Sequence, residues 1–238
     1  MLPLVLVAVG IALFGAGLAV FRSFGPGARI GRLLAAAPLV TIADARVLAA
    51  TGEARYVRID GRIDTTDQFP DEHDRPLVYR RSRLEMKSGG RWRPIAEDVR
   101  AVPFTVGEGL DAIDIDAESL RDGLVVLVRE SAGTAADVPD RIPVGTAPET
   151  PVRLRIEQVS SVEHATVLGV PVVGPDGEPR ITRGMGRPLV VCTLDRDAAM
   201  RVLAEGRRGR AAAASILLVA GPAMVSVGLA AALLGVVR

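Results

Sequence analysis

RYVRIDGRI, residues 55–63, decides the fold. Val57, Ile59, Gly61 and Ile63 alternate with Tyr56, Arg58, Asp60 and Arg62, and that period of two suits a strand with one buried face. VRLRIEQ (152–158) repeats the pattern. Outward from these, LVYRRSRLEM (77–86), AVPFTV (101–106), AIDID (112–116), GLVVLVRE (123–130), HATVLGVPVV (164–173) and PLVVCTL (188–194) are further short β-rich runs. Ser88-Gly89-Gly90 and Gly174-Pro175-Asp176-Gly177 supply turn chemistry between them. The expectation is a mainly β (α+β) domain over residues 41–206, its antiparallel strands forming a barrel or a sandwich.

Two short helices frame the strands. Thr41 and Asp44 have capping-box spacing, and Gly52 stops the helix that runs through Ala50. Asp195 is the expected N-cap of a helix over 196–205 that ends at Gly206.

The chain of 238 residues is 49% hydrophobic, and the apolar surplus sits at its ends. Residues 2–21 and 211–237 contain no ionisable side chain, and the first run spans about 30 Å as a helix, the thickness of a bilayer's hydrocarbon. Two transmembrane helices are therefore expected, at 1–22 and 207–238, with a linker over 23–40. A cleaved signal peptide is the alternative for the first, but no Lys or Arg precedes it. A buried core helix is the alternative for the second, and its length argues against that. Gly221-Pro222 marks a place for a kink. Ala8, Ala12 and Ala16, with Gly228 and Ala232, offer small-residue spacing for close helix packing, or merely reflect alanine richness. Arg22, Arg29, Arg32, Arg201, Arg207, Arg208 and Arg210 all flank the middle segment. The middle domain is thus expected in the cytoplasm and both termini outside, the reverse being open to an organellar protein.

The order of elements carries a resemblance. A transmembrane helix, YVRIDGRI (56–63), PLVYRR (76–81), Trp92, VPF (102–104), TVLG (166–169), ITRGMGRPLVVCTL (181–194) and a second transmembrane helix resemble the GIDE family, whose best-known members are mitochondrial outer-membrane E3 ubiquitin ligases. In those ligases a zinc-binding RING follows the second helix, and on this resemblance the present sequence stops where it would begin. A RING needs about eight Cys and His ligands, against Cys192, His73 and His164 here. The resemblance implies no catalytic residue, cofactor or metal, and leaves Tyr79, Arg80, Arg81, Trp92, Phe104, Arg183 and Arg187 as binding candidates.

Other chemistry is sparse. DEHD (71–74) reads as a solvated turn before a metal site. Asp114 and Asp116, with Asp111 and Glu118 nearby, read as a polar strand face before a divalent-cation site, lacking the spacing of a calcium loop. His164 reads as a structural histidine, Cys192 as a buried inert thiol, and the glycines of GPGARIG (25–31) as a hinge beside the membrane. Arg80, Arg81 and Arg83 form an anion-attracting group, yet a net charge of +1 argues against a nucleic-acid binder. Three function classes remain. The favoured one is a non-enzymatic, membrane-tethered binding or scaffold module, with the bilayer and a membrane-surface protein as partners and homo-oligomers allowed by open strand edges. The others are an E3-like component working with a separate catalytic subunit, and a hydrolase or metalloenzyme built on Asp114, Asp116 and His164.

Overall fold

The computed structural model describes residues 2–22, 26–120, 123–204 and 208–236. Helices α1 (Leu2–Arg22), α2 (Pro26–Ala36) and α3 (Ile42–Thr51) lead into strands β1 (Val57–Asp64), β2 (Phe69–Pro70), β3 (Pro76–Ser88), β4 (Arg91–Ala101), β5 (Phe104–Glu108) and β6 (Asp111–Ile115). There follow β7 (Leu124–Val125), β8 (Arg129–Thr134), β9 (Pro151–Ser160), β10 (His164–Val173), β11 (Pro179–Thr182) and β12 (Val190–Cys192), then α4 (Arg196–Ala204) and α5 (Arg208–Val236). The chain divides into two units, Arg32–Val202 and Met1–Gly31 with Leu203–Arg238.

In the first of these, five strands close on themselves in the order β1–β5–β6–β11–β10 and back to β1. The barrel is thereby chosen over the sandwich. Its interior is the apolar row read from the sequence. Val57, Ile59 and Ile63 are at most 2% exposed, and Ile59 and Ile63 meet Val106, Ile113, Ala165, Val167 and Ile181 in one core. Each such side chain contributes roughly 1.5–3 kcal/mol on burial. α3 adds Ile42 and Ala45 to that core. As expected, Thr41 caps α3 by accepting from the Asp44 N–H at 3.1 Å, and Gly52 ends it at φ 70°.

Closure forces glycine at close approaches. A Cβ on Gly169 would lie 2.4 Å from Ile181 Cγ2 and 2.6 Å from the Thr182 carbonyl oxygen, distances that no native contact tolerates. Gly61, the one gap in the β1 apolar row, faces the Gly107 carbonyl in the same way at 2.7 Å.

β12 and β7 extend the barrel sheet from β10. A second, open sheet places β4 and β2 along one edge of β3, with β9 and then β8 on the other. The purely antiparallel expectation needs correction, since β6 pairs with β11 and β7 with β12 in parallel. β4, which sequence reading passed over, is exposed at every position except the half-buried Ile95, so it carries no apolar alternation by which to be seen. The turn before it forms as expected, with Gly89 and Gly90 at φ 57° and 76°. α2 lies where a linker was expected and takes in much of the glycine segment read as a hinge.

In the other unit, α1 packs against α5. The contact does not use Ala8, Ala12 and Ala16, all of which are exposed. It uses Gly10, Gly17 and Gly221: a Cβ on Gly10 would come within 2.7 Å of the Gly221 carbonyl oxygen, the close backbone approach that small residues permit. Of the other two small residues with that spacing, Gly228 is buried and Ala232 exposed. α5 continues through Pro222, whose carbonyl accepts from the Ser226 hydroxyl at 2.9 Å.

Two spanning helices were expected, and among the described residues one stretch, Ser215–Leu233 with mean hydropathy 2.2, is long and apolar enough to cross a membrane. The apolar part of α1, Leu4–Ala19, rises about 24 Å, short of the roughly 30 Å hydrocarbon layer. Arg207 and the expected helix stop at Gly206 lie outside the described residues.

Candidate functional site

The outward face of β1 builds the site. Because Val57, Ile59 and Ile63 turn inward, Arg58 and Asp60 turn out. Asp60 stands opposite Thr166 of β10, and Thr166 opposite Cys192 of β12, so these three form one row across adjacent strands. Thr166 donates its hydroxyl to Asp60 Oδ1 at 2.6 Å. Leu34 and Ala35 from α2, and Leu194, Arg196, Ala199 and Met200 from the start of α4 and its approach, wall the row into a cavity of about 250 Å3.

Arg58 donates from Nη1 to the Leu34 carbonyl at 3.3 Å, a cation placed on one of the carbonyls left open at the end of α2. Its Nε is buried with no hydrogen-bond partner. Asp195 caps α4 as the sequence indicated, accepting from the Ala198 N–H at 2.7 Å, and Arg196 begins that helix. Burial is the main influence raising the Cys192 thiol above its ordinary pKa, and its sulfur donates only to the Leu194 carbonyl at 3.5 Å. The thiol is thus mostly protonated at neutral pH and a slow nucleophile.

The residues singled out from the resemblance do not gather here. Tyr79 and Phe104 belong to the core, and the Tyr79 hydroxyl donates to the Leu120 carbonyl at 3.0 Å. Arg81 is buried in an ion pair with Glu157. Arg80 pairs with Glu72 at 3.0 Å and Arg83 with Glu97 at 3.1 Å. Each arginine of the β3 group is thereby paired with a carboxylate from a neighbouring strand or turn. Trp92 is partly exposed beneath the Arg153 guanidinium, 4.5 Å from its ring. Arg183 is exposed in another place, at the turn after β11. Arg187, also exposed, lies over the Tyr56 ring at 5.1 Å.

The remaining acidic and histidine candidates separate too. His164, read as a structural histidine, starts β10 and is exposed. Asp114 and Asp116 line one cavity with Asp176 and Arg180, whereas His164 lines another with Arg129, Gln158 and Glu163. Hydrolase chemistry joining Asp114, Asp116 and His164 has no geometric basis. Burial raises the Asp114 pKa against the opposing Arg180 charge. Burial also acts on Asp116, but hydrogen bonds from Ser119 and Thr182 outweigh it and hold that carboxyl below its usual range. Asp71 is not a solvated residue: its carboxylate accepts from the backbone N–H groups of His73 and Arg75 and from Arg75 Nε, at 2.7–3.0 Å. Those bonds hold it well below the carboxylate range. Among the described residues no three His, Cys, Asp or Glu side chains are placed to hold a metal ion.

Sequence reading identified Cys192 but missed the site around it. Arg58 and Asp60 were visible only as the polar half of an alternating strand, and nothing in one strand announces which polar residues a distant helix will enclose. No family model matches the chain, and comparison with curated proteins and with solved structures gave no match either. The likeness to the GIDE family therefore rests on the motifs quoted above alone.

Proposed function

We propose that this chain is a membrane-tethered binding module. Its terminal apolar helices hold a β-barrel body at a bilayer surface, the body on the cytoplasmic side, and the cavity beside β1, β10 and β12 is the recognition site. The observation that supports this reading is the cavity's composition. It joins two arginines, one engaged carboxylate and an apolar wall, a few polar groups on an otherwise greasy surface, as ligand sites commonly do. Cys192 on its wall is held as the thiol, and the Thr166 hydroxyl is spent on Asp60.

The test is photocrosslinking of the full chain in native membranes. A photoreactive side chain at Met200, on the cavity wall and 46% exposed, is compared with one at Leu110, which is fully exposed and does not line the cavity. Discrete adducts at Met200 and none at Leu110 support the module; equal, diffuse labelling at both refutes it. Protease digestion of sealed vesicles tests the side, and cleavage of the barrel from the non-cytoplasmic face overturns the orientation.

A further inference from the structure

We infer that the cavity takes an anionic amphiphile, a carboxylate or phosphate-monoester head at Arg58 and Arg196 with a short alkyl segment along Leu34, Leu194 and Met200. The inference rests on the reading of this cavity as the recognition site and names what it recognises.

Arg58 differs from every other arginine with an unpartnered buried nitrogen. The same defect occurs at Nε of Arg80, Arg155 and Arg180. Each of those three, however, pairs with a carboxylate, Glu72, Glu130 and Asp176 respectively. Arg58 has no carboxylate within 4.0 Å among the described residues, and its one hydrogen bond goes to a neutral carbonyl. A buried guanidinium nitrogen without an acceptor costs free energy, and a buried charge is ordinarily paired. Arg196, exposed on the same cavity, also has no carboxylate within 4.0 Å among the described residues, and one Asp60 oxygen is engaged by Thr166. Asp60 and Asp195, the carboxylates beside the cavity, are bonded to Thr166 and to the Ala198 N–H, and neither pairs with Arg58, whose guanidinium is left without an anion. A planar, two-oxygen anion meets a guanidinium with paired hydrogen bonds.

The rest of the wall excludes a plain inorganic ion as the best occupant. Leu34, Ala35, Leu194, Ala199 and Met200 offer nothing to hydrate or bond an anion, but they give an alkyl chain surface to cover, worth about 0.8 kcal/mol per buried CH2. A volume near 250 Å3 falls just below the roughly 300–1,000 Å3 of drug-sized ligand sites. It therefore suits a head group and a short chain, or one end of a longer lipid.

Cys192 supplies a readout, being the only cysteine in the chain and part of the cavity wall. The full chain in neutral detergent is treated with an uncharged methanethiosulfonate, and modification is followed by intact mass. Octyl phosphate or octanoate at about ten times its dissociation constant slows modification on the order of tenfold and raises the melting temperature, by mass action on the liganded state. Octanol and inorganic phosphate do neither. The same measurement in nanodiscs of neutral lipid, with and without an anionic monoacyl lipid, separates a bilayer source from a free solute: protection only by the embedded lipid assigns a membrane ligand, and protection only by the soluble compound a metabolite. R58Q and M200E both abolish the effect. The second leaves the arginines in place and sets a carboxylate at a half-exposed position, so it decides the matter if R58Q folds poorly. Equal protection by octanol, equal protection by inorganic phosphate, or full protection retained in M200E overturns the inference, as does the absence of both protection and thermal shift. If that absence accompanies discrete crosslinks at Met200, the binding-module reading stands and only the ligand class falls.

Discussion

Replacing Gly169 with alanine tests barrel closure directly. The added methyl would stand 2.4 Å from Ile181 Cγ2 and 2.6 Å from the Thr182 carbonyl oxygen. Ordinary contact begins near 3.4 Å, so the neighbours must retreat by about 1.0 Å and 0.8 Å, the differences between those values. The side chain has little room, because Ile181 is fully buried. The carbonyl belongs to β11, which is itself paired to β10 on one side and β6 on the other. Overpacking of this kind costs about 1–3 kcal/mol. For a unit of this size each kcal/mol lowers the melting temperature by about 2–4 °C, so G169A is expected to melt roughly 2–12 °C below the parent. Gly107 is the matched control. It also lies in a barrel strand, but a Cβ there would meet nothing nearer than 3.3 Å, and alanine should change stability by less than about 1 kcal/mol. The assay is thermal unfolding of the full chain in detergent, followed by β-sheet circular dichroism. Indistinguishable melting of G169A, G107A and the parent would refute closure of β10 against β11 as described.

Three further outcomes follow from the same physics. Tyr79→Phe removes the buried hydrogen bond to the Leu120 carbonyl and should destabilise by about 1–3 kcal/mol; chemical denaturation checks it, and no change would mean that water replaces the hydroxyl. Arg81→Met strands Glu157 in a pair whose side chains are 8% and 17% exposed. It should cost about 2–4 kcal/mol, somewhat below the figure for full burial, whereas R81M/E157L together should recover most of the loss; a double variant as unstable as the single contradicts this. Asp71 and Asp116 both have depressed pKa values. Their stabilisation is fully present above the unfolded carboxylate value near pH 4 and is lost as pH falls through the folded values. Melting temperature should accordingly decline on acidification below about pH 4, and less steeply in D71N.

The alternation of RYVRIDGRI determined by itself that β1 is a strand and which residues face the core, because a two-residue period allows one buried row and no helix. Thr41, Gly52 and Asp195 likewise set helix ends through hydrogen bonds a few residues away, and such bonds need no distant partner. What lay far apart in the chain was not legible. β4 shows no apolar period, since it is an edge strand whose position comes from backbone pairing to β3 alone. The glycine contact between α1 and α5 required a particular rotation of each helix, which an alanine-rich sequence leaves open. Arg58, Asp60, Thr166, Cys192 and Arg196 are each unremarkable in sequence. They share a cavity only because β1, β10 and β12 adopt one register and α2 and α4 close over it, and register and helix placement are set by the packing of the whole core.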